Sequence, residues 1–190
     1  MVQDKDTQPG NAVPDVWRAK VAGTLINPDT LLATDYMNHF NEVVMLIEML
    51  PDMPDMLPDC AAWQSKSYTE HFLNSGLDYG PLAAEAFKHL PSSIKVPFDL
   101  TVAQLNAVIG LTIKRAAASI SIGDTDEMRR SVGAGIAVMR KLTETLAGII
   151  NGSKQTMDQD EIDAMLGAAN DDASAKPAGG AQDDIDKLFG

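Results

Sequence analysis

Three histidines, His39, His71 and His89, carry the side chains best suited to holding a metal. Joined by Glu42 or Glu70, they could converge from three helices on one ion. None forms the His-x-x-x-His pair that sets two imidazoles on one helix face, so the spacing predicts no metal, and His39 is expected at a polar edge of the fold. No phosphate-cradling glycine loop, dinucleotide-binding glycine pattern or nucleophile elbow occurs, and no cofactor is expected. Gly133 and Gly135 fall within a helical pattern, where close helix packing explains them more simply than a ligand does.

The chain's clearest chemical signal is one of recognition. With an offset of 23 residues, QDEIDAMLG at 159–167 matches QDDIDKLFG at 182–190. Gln, Asp, Ile, Asp and Gly recur at equivalent positions, Glu161 is matched by Asp184, and Leu166 by Phe189. The apolar anchors stand at i, i+3 and i+4: Ile162, Met165 and Leu166, then Ile185, Leu188 and Phe189. A helix puts all three on one face. The acids precede and enter the first turn, where they favour the positive end of the helix. A helix this short is marginal alone in water, so it needs a groove to cover its apolar face. The spacing therefore predicts two partner-docking motifs, 158–167 and 182–190, of modest individual affinity and raised effective concentration. The plainer alternative is that the first copy is a terminal helix packed on its own domain.

These copies resemble the segment Ser-Gln-Asp/Glu-Glu-Ile-Asp-Ala-Leu-Leu of the flagellar switch protein FliM family, which binds the phosphorylated response regulator CheY. They are also similar to the acidic amphipathic helix that ends the CheZ phosphatases. Gln159, Asp160, Ile162, Asp163 and Leu166 carry the resemblance in the first copy, and Gln182, Asp183, Ile185, Asp186 and Leu188 in the second. Met157 or Ala181 replaces the customary Ser before or near the glutamine. The resemblance covers about 18 of 190 residues. It implies a CheY-like response-regulator receiver as partner. It also raises phosphatase chemistry, in which an acid and an amide on one helix engage a receiver's lysine and orient water, as Asp-x-x-x-Gln does in CheZ and Glu-x-x-Asn in the CheC and CheX group. The nearest pair here is Glu70 and Asn74, with Asn41 and Glu42 as weaker alternatives; a helix-end cap is the simpler reading of Glu70 and Asn74.

The elements that must position these residues are helical. Aromatic residues make up 5% of the chain against 45% for the wider hydrophobic class, so the core must be built mainly from Leu, Ile, Val, Met and Ala, a mixture that favours helices. Residues 1–26 read as a flexible arm. A helix is predicted from Asn27-Pro28, with Leu32, Tyr36, Phe40, Val43, Ile47 and Leu50 as its stripe up to Pro51. A second is predicted over 60–74 and a short third from Pro81 to Leu90, with SSIKVPFDL extended or irregular. Thr101 and Gln104 read as a capping box opening a helix that Gly123 closes. Asp124 and Glu127 open the next, whose buried face is Met128, Val132, Ile136, Met139, Leu142, Leu146 and Ile149. The fold class is thus all-α, a four- or five-helix bundle over 27–152, with a disordered acidic tail over 153–190.

The formal net charge of -12 disfavours nucleic acid and anionic membranes, and Lys114-Arg115 and Arg129-Arg130 are isolated basic pairs. The single cysteine, Cys60, excludes an intrachain disulfide and suits a reducing compartment. The first residues lack the basic and apolar regions of a signal peptide, and no uninterrupted apolar run approaches the roughly 20 residues that span a bilayer. A cytoplasmic location is expected. The sequence points to an adaptor or regulator in bacterial two-component or chemotaxis-like signalling, with a homodimeric bundle compatible. The alternatives are a phosphatase of the CheY-like receiver and a purely structural helical protein.

Overall fold

The computed structural model describes residues 12–171, with side chains through Gly167. The fold is all-α: eight α-helices and two 3-10 turns, with no strand among the described residues. The helices are α1 (Asp15–Val21), α2 (Asn38–Met49), α3 (Leu57–Ala62), α4 (Tyr68–Asn74), α5 (Gly80–Phe87), α6 (Ser92–Ile122), α7 (Thr125–Ile150) and α8 (Gln159–Asp171). α6 and α7 form the central antiparallel pair. α2 packs on both, and α8 lies against α7.

The α6–α7 hairpin follows its sequence signals. Gly123 takes φ +73°, a left-handed conformation that costs glycine little, and closes α6. The Asp124 carboxylate then accepts the Glu127 N–H at 2.9 Å and starts α7. All seven residues predicted for the inner face of α7 are buried. The two helices meet closely at Gly135, where an added Cβ would collide with the Thr112 side chain. An added Cβ at Gly133 meets nothing within 4 Å among the described residues.

Elsewhere tertiary contacts override the local reading. Asn27 does not start the first long helix. Its side chain accepts the Asp29 N–H at 2.8 Å in a tight turn, and its backbone pairs with Leu31 and Leu32. Leu31 sits there at φ 59° with its side chain fully buried, and the Thr30 hydroxyl donates to the Ile150 carbonyl at 2.6 Å. Helix then begins with a 3-10 turn at Thr34–Met37. The predicted 60–74 helix is broken at Trp63, which turns extended (φ -62°, ψ 135°) between α3 and α4. SSIKVPFDL is helical and forms the first turns of α6, with Pro97 inside the helix. Thr101 and Gln104 are therefore interior residues rather than a cap. Thr101 is buried and its hydroxyl donates to the Pro97 carbonyl at 2.9 Å.

Both predicted boundaries also move. Part of the 1–26 arm is core: Val13, Trp17, Val21 and Ile26 are buried, and the Trp17 ring stacks on His89 with centroids 4.3 Å apart. A helix of seven residues with anchors only every fourth position gives little periodicity to detect. At the other end, 153–158 lacks regular structure and leads into α8, so the tail predicted from 153 starts with an ordered, packed helix.

By length and composition α6 is apolar enough to cross a bilayer, although Gln104, Asn106, Lys114 and Arg115 interrupt its apolar run. In this fold it lies along α7, α2 and α3.

Candidate docking interface

The first motif copy forms the body of α8. Asp158 accepts the Glu161 N–H at 2.7 Å and caps the helix, while Asp160 and Glu161 place negative charge in its first turn. The Gln159 amide donates to Asp163 Oδ1 at 3.0 Å across one turn, so two of the repeated residues brace the helix at the exposed rim of the cleft that Ile162 and Leu166 also line. The anchors share one face as their spacing predicts: Ile162 and Leu166 are 1% and 7% exposed, and Met165 is half-buried.

That face lies against the chain's own bundle. Ile162 and Leu166 join the main hydrophobic core, and Glu161 pairs with Lys141 of α7. The expectation of a tail without packed structure from 153 is corrected for this copy, which takes the plainer alternative of a helix packed on its own domain. Its physical reason is a seat that α6 and α7 already provide. Gln104 lies in the apolar stripe of α6 yet is 7% exposed, and its Nε2 donates to the Met157 carbonyl at 3.2 Å, fixing the chain just before α8. Met157 itself is buried. Sequence reasoning missed both residues. The available signal was a polar side chain on a buried helical stripe, which must find a partner across the interface.

The seat is not completely filled. Beside Leu166 a cleft of about 90 Å³ remains, lined by Gln104, Ala107, Val108, Leu111, Ile162 and Leu166 among others. Gln104 Oε1 is buried with no hydrogen-bond partner among the described residues. Residues Gln182, Asp183, Ile185, Asp186, Leu188 and Phe189 of the second copy lie outside the described residues.

Glu70 and Asn74 stand at the two ends of α4 as local caps. Glu70 Oε2 accepts from the Ser67 N–H at 2.9 Å and from the Ser67 hydroxyl at 2.7 Å, in a capping box that holds its carboxyl below the usual range. The Asn74 amide donates to the Glu70 carbonyl at 2.8 Å. Asn41 and Glu42 are exposed on α2.

The histidines do not converge as a set. His39 and His71 meet with ring centroids 6.1 Å apart, while His89 pairs with Trp17 and Glu85. His39 is buried rather than at a polar edge. Its Nε2 accepts the Lys66 N–H at 2.9 Å, its ring stacks on Trp63 at 4.8 Å, and burial, aided by Lys66 and His71, pushes its pKa down to about 4. His71 is lowered too, chiefly by burial. Among the described residues no three His, Cys, Asp or Glu side chains are grouped to hold a metal.

A separate apolar cleft of about 400 Å³ opens between α3 and α6 beside Cys60, Trp63, Ile109 and Ile113. The Cys60 thiol is buried, and desolvation pushes its pKa up, away from thiolate reactivity.

Comparison with protein-family models, curated proteins and solved structures finds no match for this chain.

Proposed function

We propose that the protein is a cytoplasmic adaptor or regulator of bacterial two-component or chemotaxis-like signalling, which recruits a CheY-like receiver through its C-terminal motifs. The observation that carries this reading is the duplicated nine-residue motif. Supporting it, the first copy adopts a helix that gathers its three anchors on one apolar face, with Gln159, Asp160 and Asp163 exposed. Helix-in-groove recognition requires that arrangement. The same face cannot contact the bundle and a receiver together, so the first copy must leave its seat to bind. The phosphatase alternative gains no support from Glu70 and Asn74, because hydrogen bonds to their own helix and its cap engage both side chains.

Calorimetric titration of phosphorylated and unphosphorylated CheY-type receiver into the full chain tests the proposal. Ile185→Ala with Phe189→Ala should weaken binding about tenfold or more, since losing a buried interface anchor costs more than about 1 kcal/mol. Adding Ile162→Ala and Leu166→Ala should abolish it. Full-strength binding by the fourfold variant, or no binding by the wild type, would sink the reading.

A further inference from the structure

The seat for α8 is built from residues that read the repeated motif, and the motif occurs twice. We infer that this α6–α7 groove is a receptor for either copy, and that residues 182–190 exchange into it in place of 159–167. The contacts of the first copy translate position by position. Lys141 pairs with Glu161, and Asp184 brings the same charge to that position. Ile185 repeats Ile162, Leu188 stands for Met165, and the Gln159–Asp163 pair at the rim of the cleft returns as Gln182 and Asp186.

The one enlarged position coincides with unused space. Phe189 replaces Leu166, and the cleft of about 90 Å³ borders Leu166, open to a ring against Val108 and Leu111. The second copy lacks the Asp158 cap, since Ala181 holds that position, so the first copy keeps an advantage as a helix. Two features thus oppose each other: the Asp158 cap favours the first copy, and the space beside Leu166 favours the larger side chain of the second.

Reach is sufficient. Met157 is held by Gln104, and the second copy's Ala181 follows it by 24 residues. With the first copy released, an unstructured chain of that length has an end-to-end distance of about 27 Å. Tethering at that length gives an effective concentration on the order of millimolar. One copy occupies the groove at a time, which leaves its twin for a partner. The groove exchange involves this chain alone, so failure to bind a receiver leaves it standing.

Phe189 makes the exchange visible, because it is the only aromatic residue after Phe98. In the full chain carrying Ile162→Ala and Leu166→Ala, the methyl resonances of Val108 and Leu111 should show a ring-current displacement that disappears on adding Phe189→Leu. A synthetic peptide of residues 182–190 supplied to the wild-type chain should produce the same displacement and speed amide exchange at Ile162 severalfold, and Lys141→Glu should weaken both effects. Methyl resonances indifferent to Phe189, with Ile162 exchange unchanged by millimolar peptide, would overturn the inference. The peptide arm needs no variant, so it decides the matter even where the double substitution disturbs folding.

Discussion

The aromatic cluster and the α6–α7–α8 layer are held by different kinds of contact. In the cluster, Tyr36 lies fully buried among Phe40, Tyr68, His71 and Phe98, with ring centroids 5.2–5.7 Å apart. Directional bonds run through the rings. The Tyr36 hydroxyl donates to the Lys66 carbonyl at 2.9 Å, the Tyr68 hydroxyl accepts the Ala33 N–H at 2.9 Å, and Tyr79 donates to Asp35 Oδ2 at 2.5 Å. The extended 63–67 segment depends on these ties because it has no helical ladder of its own. The other layer is packed mainly through aliphatic side chains. α7 meets α6 through a glycine, and α8 adds two buried anchors and an exposed ion pair. The difference is one of removability: extracting a ring from the cluster orphans polar backbone, whereas releasing α8 returns most of its polar groups to water.

The sharpest test of that difference is Tyr36→Ala. Loss of a fully buried ring should cost about 3–5 kcal/mol, measured by urea unfolding. Ile162→Ala should cost clearly less, because α8 can detach while the bundle remains folded. Equal losses would break the comparison.

Acid should attack the cluster next. Folding lowers His39 from 6.5 to about 4, so between those values the unfolded chain binds a proton that the folded chain refuses. The contribution of a neutral His39 is whole above pH 6.5 and declines as pH falls towards 4. At about 1.4 kcal/mol per pH unit, the loss approaches about 3 kcal/mol at the bottom of that window. His71 shifts in the same direction. Unfolding curves from about pH 7 down to about 4.5 should show this decline, and His39→Gln should flatten it.

The smallest effects compare two glycines on one helix. Gly135→Ala should destabilise by about 1–3 kcal/mol by forcing Thr112 and α7 apart, despite alanine's higher helix propensity. Gly133→Ala meets nothing and should stabilise by up to about 1 kcal/mol. Thermal melts of the two variants should move in opposite directions; a shared sign would mean that the helices do not meet at Gly135.

Legibility in the sequence follows the same divide. Where local signals and packing agree, as at Gly123, Asp124 and the inner face of α7, periodicity identifies the element, its ends and its buried residues. Local signals mislead at Asn27, Trp63 and 92–100 because the conformations there depend on distant partners: Ile150 for the first turn, His39 for Trp63, and the aromatic rings around Phe98 for the start of α6. Within the candidate site, the shared face of Ile162, Met165 and Leu166 can be read from spacing. That they rest on α6 and α7 cannot, since Gln104 and Lys141 lie 53 and 20 residues from their partners. A polar residue on an apolar stripe signals that a partner exists without saying which one.

The segregation of rings has an optical consequence. Both tryptophans sit against imidazoles, Trp17 on His89 and Trp63 on His39, and neither touches α7 or α8 through its ring stacking. Indole emission therefore reports on one side of the molecule. Protonation of His39, which in the folded chain requires pH near 4, should quench Trp63, since a cationic imidazole accepts an electron from the excited indole more readily than a neutral one. Departure of α8 should leave the emission spectrum almost unaltered. A chain that has released its first motif and one that has kept it would look identical in a fluorimeter.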